Sequence, residues 1–188
     1  MKLKFITIFI SSLIISAVVL ATTINIALNT ADPLDKLYSY TGYISLGIIS
    51  FCILLSKFKL HKYARAFGLS SIMFVIAHLY SYVVLDKELM FLEIIRELGR
   101  NKFIWLGLIS ALILISASVL SINKFQKYRK SRRVLVYLAI LFASMHIFSS
   151  AKSPGFVEYF LVTYSIALIA LSYKKLIFKQ KIKTAQSI

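Results

Sequence analysis

The chain has 188 residues, a formal net charge of +16, and 59% apolar against 16% charged residues. Soluble domains carry about 45–50% apolar and about 25% charged residues, so this composition excludes a soluble globular fold, and its apolar content excludes disorder. A basic balance of this size often signals nucleic acid, but here the basic residues stand between long apolar runs, so the charge describes membrane topology and no nucleic-acid partner is read.

In chain order the uncharged runs cover 5–31, 37–56, 66–85, 103–123, 134–151 and 159–173, together 121 of the 188 residues. That leaves no room for a separate soluble domain. A membrane-spanning helix needs about 20 mostly apolar residues. The runs predict spans over 5–29, 38–56, 66–85, 103–122, 134–151 and 156–173, the last with Glu158 at its rim. They are continuous rather than alternating, which argues against a β-barrel. The expected fold is an all-α membrane protein, a six-transmembrane-helix bundle forming one domain over 1–188. Lys2 and Lys4 precede the first run as in a signal peptide, but its apolar stretch far exceeds the usual core of about 7–15 residues, so it reads as a retained span.

Charge sets the expected orientation. With six spans, the side holding both termini carries 17 basic residues and no acid, while the other carries 6 basic residues and all 7 acids. Cytoplasmic loops are enriched in Lys and Arg, so both termini are expected in the cytoplasm, and the chain in the bacterial cytoplasmic (inner) membrane. The long outer connection between the third and fourth spans mixes Leu89, Phe91, Leu92, Ile94, Ile95 and Leu98 with Glu93, Arg96 and Glu97. This predicts a short amphipathic helix, read as lying on membrane lipid in preference to docking a partner. Trp105 falls where an interface anchor belongs.

No Asp, Glu, Lys or Arg lies inside a confident span. Proton pumping, ion-coupled transport and intramembrane carboxylate catalysis need such groups. The intramembrane titratable candidates are two histidines, His78 and His146. His78 lies 13 residues after Arg65 and His146 lies 13 residues after Arg133. Each imidazole is therefore roughly 20 Å from the inner charged boundary, and both belong at one depth in the outer half of a core about 30 Å thick. A lone intramembrane histidine often only hydrogen-bonds to a neighbouring helix. Two at one depth on two helices match a b-type haem, whose iron takes two axial nitrogens. Phe74 and Phe142, each four residues before a histidine, are candidates to line the ring, and Ser81 and Ser149, each three after, to accept a ligand N–H.

Other residues read more plainly. Met73, Met90 and Met145 carry little weight as iron ligands, and Met145 faces away from His146. His61 sits among Lys57, Lys59, Lys62 and Arg65 and reads as a solvated loop residue. Cys52, the sole cysteine, is a small apolar packing residue and excludes an internal disulfide. Tyr80 and Tyr82 read as interface aromatics. They share with Arg96, Arg100, Lys102 and Lys152 the possibility of meeting a haem propionate, and sequence does not choose among them.

Several segments then resemble a known family. They are Ala31-Asp32-Pro33 with Thr41-Gly42, Arg65-Ala66-Phe67-Gly68-Leu69, Ala77-His78-Leu79-Tyr80-Ser81-Tyr82, Arg100 with Gly107, Val136-Tyr137-Leu138 with His146, and Tyr173-Lys174-Lys175-Leu176. In order and spacing, over about 31–176, they resemble the haem-binding membrane subunit of the periplasmic methionine sulfoxide reductase system, of the ferric reductase-like transmembrane group. The resemblance implies haem b with His78 and His146 as axial ligands, and electron delivery to a periplasmic molybdenum-cofactor reductase that repairs methionine sulfoxide. The donor it implies is quinol or a flavin, with FMN or quinone as further cofactors. The departures are specific. Asn101 and Lys102 replace part of the stretch after Arg100, and Ile147-Phe148-Ser149 follows His146 where the family has Tyr-x-Trp. Arg133, after Arg132, stands where the family has a further histidine. Arginine cannot replace imidazole on iron, so a second, inner haem lacks its ligand and a membrane quinol donor is favoured. The alternatives are a self-contained ferric reductase-like metal or quinone reductase, and a non-redox membrane scaffold.

Overall fold

The computed structural model describes residues 2–121, 129–151 and 153–185. Among these residues all regular structure is helical. In lipid a helix is one of the few forms that satisfies every backbone N–H and C=O within its own segment. The helices are α1 (Lys2–Leu28), α2 (Pro33–Lys57), α3 (His61–Ser70), α4 (Ile72–Tyr80), α5 (Phe91–Arg100), α6 (Lys102–Val119), α7 (Arg129–Ser150) and α8 (Phe156–Ala185), with a π-helical turn over Ser81–Asp86. Five helical stretches are long and apolar enough to cross a membrane: Lys4–Leu28, Pro33–Lys57, His61–Asp86, Lys102–Val119 and Ser131–Ser150. The span expected over 156–173 corresponds to Phe156–Ala170 of α8, a shorter apolar stretch among the described residues. Lys124, Lys127 and Lys152 lie outside the described residues.

Helices outrun their apolar runs. α3 begins at His61 and α7 at Arg129, so Lys62, Arg65, Arg132 and Arg133 are helical where the sequence suggested loop. Lys and Arg are good helix formers, and the apolar run marks only the part that needs lipid. His61 is exposed, as expected. The expected third span is not one regular helix. At Ser71 the backbone stays right-handed helical, while the Ser70 and Ser71 hydroxyls donate to the Phe67 and Gly68 carbonyls; such back-bonding bends helices.

α2 is central. Its Leu46, Ile49 and Ile53 meet Leu114 of α6, Ala139 and Ile140 of α7 and Leu168 of α8 in the core. α1 packs outside α2 and α3, and Ser16 Oγ donates to Ser70 Oγ at 3.1 Å across that contact. α6 and α7 make the most extensive pairing. Buried Ala111, Ala117, Ala139 and Ser144 let their backbones approach, and Ser110 Oγ donates to the Ala139 carbonyl at 2.8 Å. Ile6, Ile10, Ile14 and Val18 of α1 are exposed, an apolar stripe suited to lipid contact in a multi-pass membrane protein.

α5 forms where the amphipathic helix was expected. After the π turn, Glu88 and Leu89 take left-handed backbone conformations and reverse the chain. Lys87 Nζ meets Glu97 at 2.7 Å and Asp86 at 3.3 Å. The Tyr82 hydroxyl donates to Glu97 Oε2 at 2.9 Å, and Trp105 Nε1–H donates to the Leu98 carbonyl at 2.8 Å. Tyr82 thus joins this cluster through its hydroxyl. Lys87 and Glu97 are only 12% and 28% exposed, so the pair is worth more than a typical surface ion pair. The hydrogen bond to Lys87 holds the Glu97 carboxyl below its ordinary 4.5. The bond to Glu97 in turn raises Lys87 above its ordinary 10.5. The stabilisation contributed by Glu97 is present above pH 4.5 and is lost as pH falls through its lowered value. That contributed by Lys87 is complete below 10.5 and is lost only as pH rises through its raised value. Glu97→Ala should cost about 1–3 kcal/mol locally, seen as faster amide exchange confined to α5 at neutral pH, with the wild type approaching the variant on acidification.

Candidate functional site

The site is assembled where α2 and α6 begin and α4 and α7 approach their ends. α2 starts sharply: the Asp32 side chain accepts from the Asp35 N–H at 3.1 Å, and Pro33 occupies the first helical turn. This start places Tyr38, Thr41, Gly42 and Ser45 on one face by helical spacing. Tyr38 lies edge-on to the His78 ring, centroids 5.8 Å apart. Its hydroxyl donates to the Ser81 carbonyl at 3.2 Å, where the π turn begins; such turns frequently mark functional sites.

His78 on α4 and His146 on α7 meet. Their ring centroids are 6.1 Å apart and their planes are at 89°, so the two helices bring the rings side by side. His146 Nδ1 is 2.7 Å from the Phe103 carbonyl. A carbonyl only accepts, so Nδ1 carries the proton and Nε2 keeps its lone pair. His78 Nδ1 is 3.2 Å from Thr41 Oγ1. The single Thr41 proton goes to the Leu37 carbonyl at 2.6 Å, so Thr41 accepts from His78 Nδ1–H, and this Nε2 also keeps its lone pair.

Two glycines make room. A Cβ on Gly107 would stand 2.9 Å from His146 Cε1 and Nδ1, closer than real contacts allow; one on Gly42 would stand 3.8 Å from the His78 ring. In an α-helix the Phe103 carbonyl is also the acceptor for the Gly107 N–H. The missing side chain at Gly107 therefore opens the carbonyl that orients His146.

The serines expected to accept ligand N–H groups do not do so. Ser81 Oγ donates to the Ala77 carbonyl of its own helix at 2.8 Å, and Ser149 is exposed. Thr41 and the Phe103 carbonyl take those roles, from other helices. Thr41-Gly42 and Gly107 stood among the family-like segments and were the available signal; a backbone carbonyl has none. Phe74 is fully buried and Phe142 partly so, while Met145 is exposed, away from the site. Tyr80, Arg96, Arg100 and Lys102 are exposed. The tail Tyr173–Leu176 is helical within α8.

Among the described residues, no group of three or more His, Cys, Asp or Glu comes together. A bare transition-metal ion commonly takes three or four protein donors. Two imidazoles suit an ion whose other ligands come from a macrocycle.

Comparison with curated proteins bears on this pair. The protein-methionine-sulfoxide reductase heme-binding subunits MsrQ of Brucella ovis, Brucella canis and Brucella suis are each 30% identical to the chain over 133 aligned positions, covering 65% of this chain and 60% of the relative. The chain is similar to these subunits. It spans about 60% of the length of these relatives. No family model matches the chain, and no solved structure matches it. The MsrQ likeness therefore rests on sequence relatives, and the paired imidazoles are an independent physical observation beside it.

Proposed function

We propose that the chain is a six-span cytochrome b subunit of the cytoplasmic membrane, with both termini in the cytoplasm. His78 and His146 would hold one haem b as axial ligands. The subunit would pass electrons to a periplasmic molybdenum-cofactor reductase acting on methionine sulfoxide. One observation carries this reading: two imidazoles from different helices meet edge-on with ring centroids 6.1 Å apart, each engaged through Nδ1, so that each Nε2 keeps its lone pair. The MsrQ likeness supports the same assignment.

A haem b held there supplies reversible one-electron transfer. The chain's own residues do the positioning. Phe103 and Thr41 fix the ring tautomers, Gly107 and Gly42 give the rings space, and Tyr38 closes one edge. Such orienting partners typically matter about 10–100-fold for metal affinity. Arg133 at the other end of α7 supports a single haem, and a single haem on the outer side favours a quinol donor dissolved in the membrane over a cytosolic flavin. In the same reading α5 lies along the lipid headgroups, with Phe91, Leu92 and Ile95 exposed on one side at 65–81% and Arg96 and Arg100 beside the phosphates.

The test is a reduced-minus-oxidised visible spectrum with haem quantitation on detergent-purified protein from haem-replete cells. A b-type signal near one haem per chain is expected. No haem in folded protein removes the electron-transfer reading and leaves a scaffold. Reduction of a metal or quinone without any partner protein would favour the self-contained reductase.

A further inference from the structure

The two imidazoles are held unequally. His146 sits on α7, a continuous helix of 22 residues, and its Nδ1–H bond to Phe103 is 2.7 Å. Its ring is wedged against Gly107 with no space for a Cβ. His78 sits on α4, directly before the π turn that begins at Ser81. Its Nδ1–H bond to Thr41 is 3.2 Å, at the long end of the N–H···O range, and Gly42 leaves ordinary van der Waals space beside it. A short bond from Nδ1–H to a carbonyl pushes electron density onto Nε2 and strengthens it as a ligand. Bond length, ring clearance and the π turn beside His78 all point the same way.

Resting on the haem reading above, we infer that His146 is the fixed anchor of the haem and His78 its exchangeable ligand, so that the His78 side of the iron is a binding site for a small neutral ligand such as carbon monoxide or imidazole. Exchange at that position breaks one iron–nitrogen bond and forms one iron–ligand bond, with no change in electron count. His78 Nδ1–H stays on Thr41 throughout, so no proton is required.

The experiment compares His78→Gly, His146→Gly and Thr41→Val in the full chain, with unmodified protein beside them. Haem per chain, spin state and carbon monoxide binding by the reduced form are read, and monodispersity in detergent reports folding. His78→Gly should keep haem near the unmodified stoichiometry with a five-coordinate spectrum, and added imidazole should restore the six-coordinate one. His146→Gly should hold at least about tenfold less haem. Thr41→Val should lose less haem than His146→Gly and gain carbon monoxide binding per haem, a readout that a merely structural threonine would not move. Equal retention in the two glycine variants, or better retention in His146→Gly, overturns the asymmetry while the haem reading stands. If a glycine variant fails to fold, carbon monoxide binding by Thr41→Val decides: absence of any gain overturns the inference. Absence of haem from the unmodified protein removes both the haem reading and this inference.

Discussion

Gly107→Ala is expected to abolish the bis-imidazole site while leaving α6 helical. Two opposed effects act. In aqueous hosts, alanine for glycine inside a helix stabilises it by about 1 kcal/mol, so α6 itself gains. The added methyl would stand 2.9 Å from two atoms of the His146 ring. The ring cannot back away without losing its 2.7 Å bond to the Phe103 carbonyl, the bond that holds the proton on Nδ1. Haem content should fall by at least about tenfold, the upper part of the range for lost orienting contacts being about 100-fold. Gly47→Ala is the control, because a Cβ there meets nothing within 4 Å. Haem quantitation and circular dichroism of both variants check the prediction. Full haem in Gly107→Ala would mean that the ring does not need this seat.

Phe74→Ala should give the largest loss of stability from a single truncation. Among the described residues Phe74 is the largest fully buried side chain, on α4 one turn before His78. Removing a buried phenylalanine costs about 3–5 kcal/mol, from lost burial plus the cavity left behind. α4 runs directly into the π turn that begins at Ser81, and Phe74 fills the space between it and its neighbours. The chain carries its own reporter. Cys52 is the sole cysteine and is buried in α2, so a thiol-reactive dye labels it only as the bundle opens. Labelling on heating should move to clearly lower temperature in Phe74→Ala. Ile76→Ala, on the same helix but 59% exposed, should shift it far less.

The sequence carried the depth of the site because depth along a helix is arithmetic. A rise of about 1.5 Å per residue turns two equal intervals from Arg65 and Arg133 into two imidazoles at one level. It also located the amphipathic α5, since the alternation of apolar and charged residues at helical spacing is a local property. It misplaced the partners of the histidines for an equally local reason. Ser81 and Ser149 share a helix with the histidines they were paired with, and the Ser81 hydroxyl reaches its own preceding turn, as helical serines commonly do. Tyr82, read as an interface aromatic, is bound to Glu97 across a chain reversal that no helical periodicity announces.

Composition, run length and charge asymmetry by themselves determined that this chain is helical and membrane-bound, and placed two imidazoles at a common depth, because each follows from residue type and from distance along one helix. Which faces of those helices meet was decided only by tertiary packing. Small residues at the α6–α7 contact, the Gly107 opening and the central seat of α2 rotate His78, His146, Thr41 and the Phe103 carbonyl toward one another. Helix rotation about its axis costs nothing in the sequence periodicity of a run that is apolar all round, so only the contacts between helices could set it.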